Sequence, residues 1–348
     1  MSPNVLTAVV LGLLLGTTLT LNTSHWLMAW VGLEINTLAI IPLMAEKHHP
    51  RAVEAATKYF LVQAAGAATV LFASTVNAWA CGQWEITHLS HPVASAVVLM
   101  ALALKIGLAP VHFWLPEVLQ GVTLTTGLIL STWQKLGPLV LIMQISRDVH
   151  PHLLTALAIC STLVGGWGGL NQTQLRKVLA YSSIAHLGWM ILAVQMAPRL
   201  AFLALVTYII MTAAAFLTLN SINATKVSTL AAVSTKSPAL GAMACLVLLS
   251  LGGLPPLTGF MPKWLILQQV TAQGYTIIAT FVALSALISL YFYLRLAYAM
   301  ALTLIPTTTN ASAPWRVKTK KFTLPLSLTI VLATCLLPFT PSFLGLVA

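Results

Sequence analysis

A succession of apolar runs, each about as long as a bilayer is thick, constrains this chain more than any other feature. They fall roughly at 3–21, 25–44, 59–80, 93–119, 123–144, 152–171, 177–196, 200–222, 238–270, 275–303 and 324–345. A helix rises about 1.5 Å per residue, so about twenty apolar residues cross a hydrocarbon core of about 30 Å. Eleven such runs leave little chain for anything else. Only 7% of the residues are charged, against about 25% in a soluble domain. The runs predict an all-α polytopic membrane protein of about eleven transmembrane helices. A β-barrel would need alternating segments of about ten residues, and these runs are continuous and longer. Val5 to Leu21 follows no basic region and precedes no cleavage site, so it reads as a retained span rather than a signal peptide. No Arg-rich transit peptide is read at the start.

Two of the runs are broken. Residues 105–117 read Lys-Ile-Gly-Leu-Ala-Pro-Val-His-Phe-Trp-Leu-Pro-Glu, inside the fourth run. Each proline removes a backbone donor and clashes with the preceding turn, so the helix is predicted to break between Gly107 and Pro110. The pattern recurs in the ninth run. Gly107-Leu-Ala-Pro110 with Pro116 matches Gly253-Leu-Pro-Pro256 with Pro262, at an offset of 146 residues at each end. Lys263 in the second copy aligns with Glu117, not with Lys105. Broken backbone at membrane depth is tolerated only where protein or a water-filled cavity covers it. Paired Gly/Pro-interrupted spans in two halves point to a transport site. The broken runs are five apart, so they cross in opposite senses. The expected organisation is therefore an inverted pair of five-helix repeats, 1–145 and 146–303, followed at 304–348 by a polar loop and one C-terminal helix.

Loop charge sets the expected topology. Loops on the N-terminal side hold Lys47, Arg51, Lys58, Arg176, Lys177, Lys226, Lys236, Arg316, Lys318, Lys320 and Lys321, whereas the other side holds only Arg147 and Arg199. The N-terminus is thus expected inside. This asymmetry accounts for most of the net charge of +11 without nucleic acid as a partner. The Arg316–Lys321 cluster suits either solvent or anionic lipid headgroups. Cys81, Cys160, Cys245 and Cys335 are scattered, with no spacing for a metal or an iron–sulfur cluster. His48-His49 and the pair His88/His91 lie in loops without further ligands. The Asn-x-Ser/Thr matches at Asn22, Asn171, Asn223 and Asn310 are expected by chance. No nucleotide loop and no dinucleotide fingerprint is found.

Four basic residues remain inside the spans: Lys105, Lys135, Lys263 and Arg295. Glu34 is the one acid at mid-span. A charge at the bilayer centre costs about 2.5–3.5 kcal/mol on insertion scales. Two opposite charges about 4 Å apart regain about 4 kcal/mol at an effective dielectric near 20. That holds Glu34 to one lysine and leaves two lysines without an acid. A buried lysine without an acid releases its proton more readily than one in water, and such a lysine is a usable proton carrier. Glu34, Lys105, Lys135 and Lys263 are therefore the candidate proton pathway along the midplane. The structural alternative is that Lys105 and Lys263 cap carbonyls freed at the breaks and that Glu34 only locks helices. Arg295 lies nearer a span end, where snorkelling explains it. His112 and His186 are mid-span and titrate near neutrality; each is a possible relay or a satisfied core histidine. Glu117 either lines an entrance on the inner side or faces water.

Trp-Gln-Lys at 133–135, His-Phe-Trp-Leu-Pro-Glu at 112–117 and Pro-Pro-Leu-Thr-Gly-Phe-Met-Pro-Lys-Trp at 255–264 carry a resemblance over nearly the whole chain. The sequence resembles the antiporter-like membrane subunits of NADH:ubiquinone oxidoreductase, respiratory complex I, in the short form found in animal mitochondria. The resemblance implies a core complex I subunit in the inner mitochondrial membrane, N-terminus in the matrix, beside other membrane-arm subunits. It places the family's conserved acid at Glu34, its lysine before the first break at Lys105, its central lysine at Lys135 and its second-break residue at Lys263. Full-length relatives have fourteen spans, and the short form lacks the first three. In that reading no flavin, cluster, NAD or quinone site belongs to this chain. NADH, FMN, the iron–sulfur clusters and ubiquinone are handled by other subunits. Two rival readings are a stand-alone cation/proton antiporter and a structural membrane spacer.

Overall fold

The computed structural model describes residues 2–46, 49–231, 238–301 and 323–347. The basic cluster Arg316, Lys318, Lys320 and Lys321, together with Lys47, His48, Lys236 and Asn310, lies outside the described residues. The described residues form helices and connecting turns, with no strand among them. Eight of the helices are long and apolar enough to cross a membrane, and three shorter apolar helices accompany them. They divide into two compact units, Met1–Ser161 and Thr162–Ala348.

The first unit holds α1 (Pro3–Asn22), α2 (Trp26–Met44), α3 (Pro50–Cys81), α4 (Pro92–Ile106), α5 (Trp114–Gly121), α6 (Leu124–Ile145) and most of α7 (Pro151–Gly169). Three of these helices begin behind a histidine cap. The His25 ring accepts from Leu27 N–H at 3.2 Å, His49 from Arg51 N–H at 3.2 Å and His91 from Ala94 N–H at 3.3 Å. Each supplies an acceptor for a donor that the first helical turn leaves without a partner. Prolines at the first turn of α1, α3 and α4 remove another such donor. In this unit α3 packs on α2, α4 and α5, and α6 packs on α1, α2 and α4.

The second unit contains the end of α7 and then α8 (Leu175–Met196), α9 (Pro198–Ile222), the short α10 (Val227–Ala231), α11 (Pro238–Gly252), α12 (Phe260–Ala272) and α13 (Thr276–Ala301). It closes with α14 (Thr323–Cys335), a 3-10 turn (Leu337–Phe339) and α15 (Thr340–Val347). Helix α8 is buried almost all round, and α9 meets α8, α11, α12 and α14. Leu203 of α9, Met261 of α12 and Leu336 after α14 form one apolar cluster with Ile210, Leu265 and Leu332.

Apolar side chains also face outward in number, among them Leu11, Leu15, Phe72, Ile277, Leu284 and Leu287. In water such faces would be a liability, and in lipid they are the solvated surface. Many inward hydroxyls are satisfied within their own helices. Thr17 donates to Leu13 O, Ser182 to Leu179 O, Ser183 to Ala180 O, and Thr207 to Leu203 O. This local back-bonding lets small polar residues line helix contacts with no unsatisfied group.

The C-terminal helix is bonded to the second break. Ser250 Oγ, before the break, donates to Ala333 O at 2.6 Å, and Thr258 Oγ1, after it, donates to the same carbonyl. Both hydroxyls are buried. Removing both donors, as Ser250→Ala with Thr258→Val, strips that carbonyl of these two bonds. The expected loss is about 1–3 kcal/mol, read as a lower unfolding temperature. Either change alone leaves one donor and is expected to lower it less.

Candidate functional site

Both broken runs are broken in the structure, and by the same means. Helix α4 stops at Ile106, and Gly107 takes the left-handed conformation at φ +86°. The N–H groups of Gly107 and Leu108 both bond to Ala103 O at 2.9 Å. Helix α11 stops at Gly252, and Gly253 sits at φ +81°, with its N–H and that of Leu254 both on Leu249 O. A residue with a side chain resists that conformation, so glycine marks both stops. The Ala109–Pro110 and Pro255–Pro256 bonds that follow are both cis. The chain re-enters helix at Trp114 and at Phe260. Pro116 and Pro262 then stand in the first turn, where no hydrogen bond is lost.

A helix that stops leaves carbonyls without partners. At the first break two of them are taken by neighbours. Trp114 Nε1 donates to Leu104 O at 2.9 Å, and Gln63 Nε2 of α3 donates to Lys105 O at 3.1 Å. The Lys105 side chain is buried at 5% exposure, and its Nζ has no hydrogen-bond partner. Lys105 is therefore not the carbonyl cap that the structural reading allowed. At the second break the lysine is the cap: Lys263 Nζ donates to Gly252 O at 2.8 Å.

One small cavity in the first unit gathers the polar groups. It is lined by Asn36 and Thr37 of α2, Tyr59 and Gln63 of α3, Lys105 of α4, and Gln134 and Lys135 of α6. Its free space is on the order of a single water. Lys135 is buried at 2% exposure, three residues before Pro138, which lies inside α6 and also lines the cavity. That proline lacks the N–H that would close on Gln134 O. Gln134 Nε2 reaches across to Asn36 O at 3.1 Å. Glu34 stands on α2, within one turn of Asn36 and Thr37 of the lining. No ion pair closes between Glu34 and Lys105, and Glu34 Oε2 has no hydrogen-bond partner. The expected Glu34–lysine contact is thus not made. Glu34 is half-buried on α2, while the buried Lys105 lines the cavity between α2, α3, α4 and α6.

The possible relays divide between the units. His112 is buried in the first break, with its ring 4.5 Å from that of Phe113. Glu117 lies in the first turn of α5, where Lys58 Nζ bonds it at 2.8 Å and bonds Glu54 at 2.8 Å as well. His186 lines a second small cavity together with Lys263, Thr207 and Met211. Its ring is 5.6 Å from that of buried Tyr208. Arg295 donates from Nη1 to Leu170 O at 2.5 Å, just past the end of α7. Among the described residues no three His, Cys, Asp or Glu side chains converge as a metal site.

Sequence reasoning missed Gln63, Tyr59, Asn36 and Gln134. All are uncharged, so a search for intramembrane charge passes over them. The signal available was an amide, Gln63, in the middle of an apolar run.

Helices broken at mid-run, with Lys105 buried beside one break and Lys263 half-buried beside the other, define an ion-translocating membrane subunit. A family profile described as "NADH:quinone oxidoreductase/Mrp antiporter, TM" matches residues 23–289, and one described as "NADH dehydrogenase subunit 2 C-terminus" matches residues 290–344. The chain belongs to the NADH:quinone oxidoreductase/Mrp antiporter transmembrane family. It is 66% identical over 346 residues, 99% of each chain, to the NADH-ubiquinone oxidoreductase chain 2 of Carassius auratus. It is 62% identical over 348 residues, 100% of each, to that of Oncorhynchus mykiss. A chain of respiratory complex I from Thermus thermophilus superposes with a TM-score of 0.86 at 29% identity, covering 98% of this chain and 79% of that one. A chain of the Mrp complex from Dietzia sp. shares the fold, with a TM-score of 0.84 at 18% identity, covering 97% of this chain and 76% of that one.

Proposed function

We propose that this chain is a core membrane subunit of mitochondrial NADH:ubiquinone oxidoreductase and carries protons across the inner membrane. The observation that carries the reading is the cavity under the first break, where Lys105 and Lys135 are both buried, with Glu34 on α2 within one turn of its lining. A lysine amine gains and loses a proton without rearranging the chain, and a neighbouring acid changes how readily it does so. Glu34, Lys105 and Lys135 form the first-unit part of the pathway. Lys263, with His186 in its cavity, forms the second-unit part. His112 and Glu117 are further relays.

The reading extends to architecture. Eleven crossings arise when each broken pair, α4 with α5 and α11 with α12, counts as one, and α14 with α15 as the last. Two inverted repeats, at 1–145 and 146–303, with 304–348 as an appendix, are supported by matching neighbours. Helix α3 touches α2, α4 and α5 as α9 touches α8, α11 and α12, and α4 touches α6 as α11 touches α13. The loop charge asymmetry supports a matrix-side N-terminus and contact with anionic lipid, with no role for nucleic acid. The chain works beside other membrane-arm subunits. NADH, FMN, clusters and ubiquinone are bound elsewhere in the holoenzyme, and the redox reaction supplies the drive. Moving one charge against 100 mV takes about 2.3 kcal/mol.

The test separates a subunit from a stand-alone antiporter. Purified chain alone in liposomes is expected to give no sodium-driven pH change. The complex containing it, in the same lipid, acidifies one side when given NADH and ubiquinone. A sodium-driven pH change by the isolated chain would replace this reading with the antiporter one.

A further inference from the structure

The two breaks satisfy their freed carbonyls in different ways, and the difference falls on the lysines. At the second break Lys263 donates to Gly252 O itself. At the first, Gln63 and Trp114 occupy the carbonyls of Lys105 and Leu104, and the Lys105 amine, buried, keeps no hydrogen-bond partner. An ammonium has three donors and no acceptor. A carbonyl has two lone pairs, and the Gln63 amide fills one of them, so Lys105 O is satisfied without the amine.

We infer that Gln63 is a positioning residue of the proton pathway: by holding the Lys105 carbonyl, with Trp114 on the carbonyl before it, Gln63 fixes the backbone at the break so that the Lys105 amine stays in the cavity it shares with Lys135. The inference deepens the reading above and rests on Lys105 carrying protons. The residue type suits the task. A carboxamide donates through Nε2 yet brings no charge to compete with Glu34 or Lys135. The local packing suits it too. Gly66 lies one turn along α3, and a Cβ there would come within 3.1 Å of Lys105 Cγ. The same face of α3 thus bonds the Lys105 backbone and leaves room for its stem. Lys263 differs in kind. One of its three donors is held by Gly252 O.

The test uses the assembled complex carrying Gln63→Met, which keeps the length of the side chain and removes its donor. Expected is a fall of about tenfold in translocation rate per assembled complex, together with a displacement of its pH midpoint by more than half a unit. Gln63→Glu, which offers the amine a carboxylate, falls further. A rate and midpoint like those of the unaltered complex would overturn the inference. So would a lower rate at an unchanged midpoint, because that is what lost packing alone gives. Should Gln63→Met fail to assemble, Trp114→Phe is judged by the same two readouts. Lys105→Met is run beside them. If it translocates like the unaltered complex, the proton-carrier reading itself falls, and the result for Gln63 is not needed to see it.

Discussion

Lys135→Met is expected to lower proton translocation by the assembled complex at least tenfold while leaving assembly intact and the unfolding temperature no lower. The two halves of that expectation have different physical origins. Lys135 is buried at 2% exposure, in the cavity it shares with Lys105. Methionine fills nearly the same volume and cannot hold a proton. A tenfold loss corresponds to about 1.4 kcal/mol on the barrier, a small demand on removal of a carrier. Stability moves the other way. Taking a charge from mid-bilayer returns about 2.5–3.5 kcal/mol, which outweighs a net hydrogen-bond contribution of about 0.5–1.5 kcal/mol. A structural spacer predicts the opposite pair of results, with translocation preserved and helix contacts weakened. Proton flux in proteoliposomes, normalised to assembled complex, decides between them. Normal flux and an unchanged proton-to-electron ratio with full assembly would remove Lys135 from the pathway.

The parts of this molecule legible in the sequence are those governed by local chemistry. Gly107 and Gly253 stop their helices because a left-handed residue followed by proline has little other use inside an apolar run. Lys105, Lys135 and Lys263 stand out because charge is so scarce there. The legible part ends where two helices must meet. Gln63 is one amide among many uncharged polar residues, and only the packing of α3 on α4 shows that it faces the Lys105 carbonyl. Glu34 was expected to touch one of the lysines because Coulomb's law favours contact. The distance is set instead by the helices that carry them. The differing roles of Lys105 and Lys263 at their breaks were equally hidden. One lysine precedes its break and the other follows it, and that alone does not say which amine turns back to a carbonyl. The C-terminal helix lies 75 and 83 residues from the hydroxyls that hold it, Thr258 and Ser250. No short-range pattern connects them.

The largest effect on stability is expected at Gly259, where the chain resumes helix after the second break. A Cβ built there would lie 1.7 Å from Ser250 O and 3.1 Å from Met211 Sδ. The first contact is with backbone, so no rotamer change relieves it. Either the 258–260 segment moves away from α11, or α11 moves. Both movements pull on Ala333 O, because Ser250 and Thr258 bond it from the two sides of the break. Both also disturb Lys263, one turn further along α12, whose amine rests on Gly252 O. Overpacking of a well-packed site costs about 1–3 kcal/mol and occasionally more. With backbone against backbone, Gly259→Ala is expected at or above about 3 kcal/mol. Two other glycines calibrate it. At Gly107 an added Cβ meets nothing nearer than 3.4 Å, so Gly107→Ala carries chiefly the left-handed backbone penalty of about 1–2 kcal/mol. At Gly345 nothing lies within 4 Å, and Gly345→Ala is expected to be close to neutral. Unfolding temperatures of the assembled complex should therefore fall in the order Gly345→Ala, Gly107→Ala, Gly259→Ala. A Gly259→Ala complex as stable as that carrying Gly345→Ala would mean that the segment after the break has room the structure does not give it. The close seating of α12 against α11, on which the Lys263 latch depends, would then have to be abandoned.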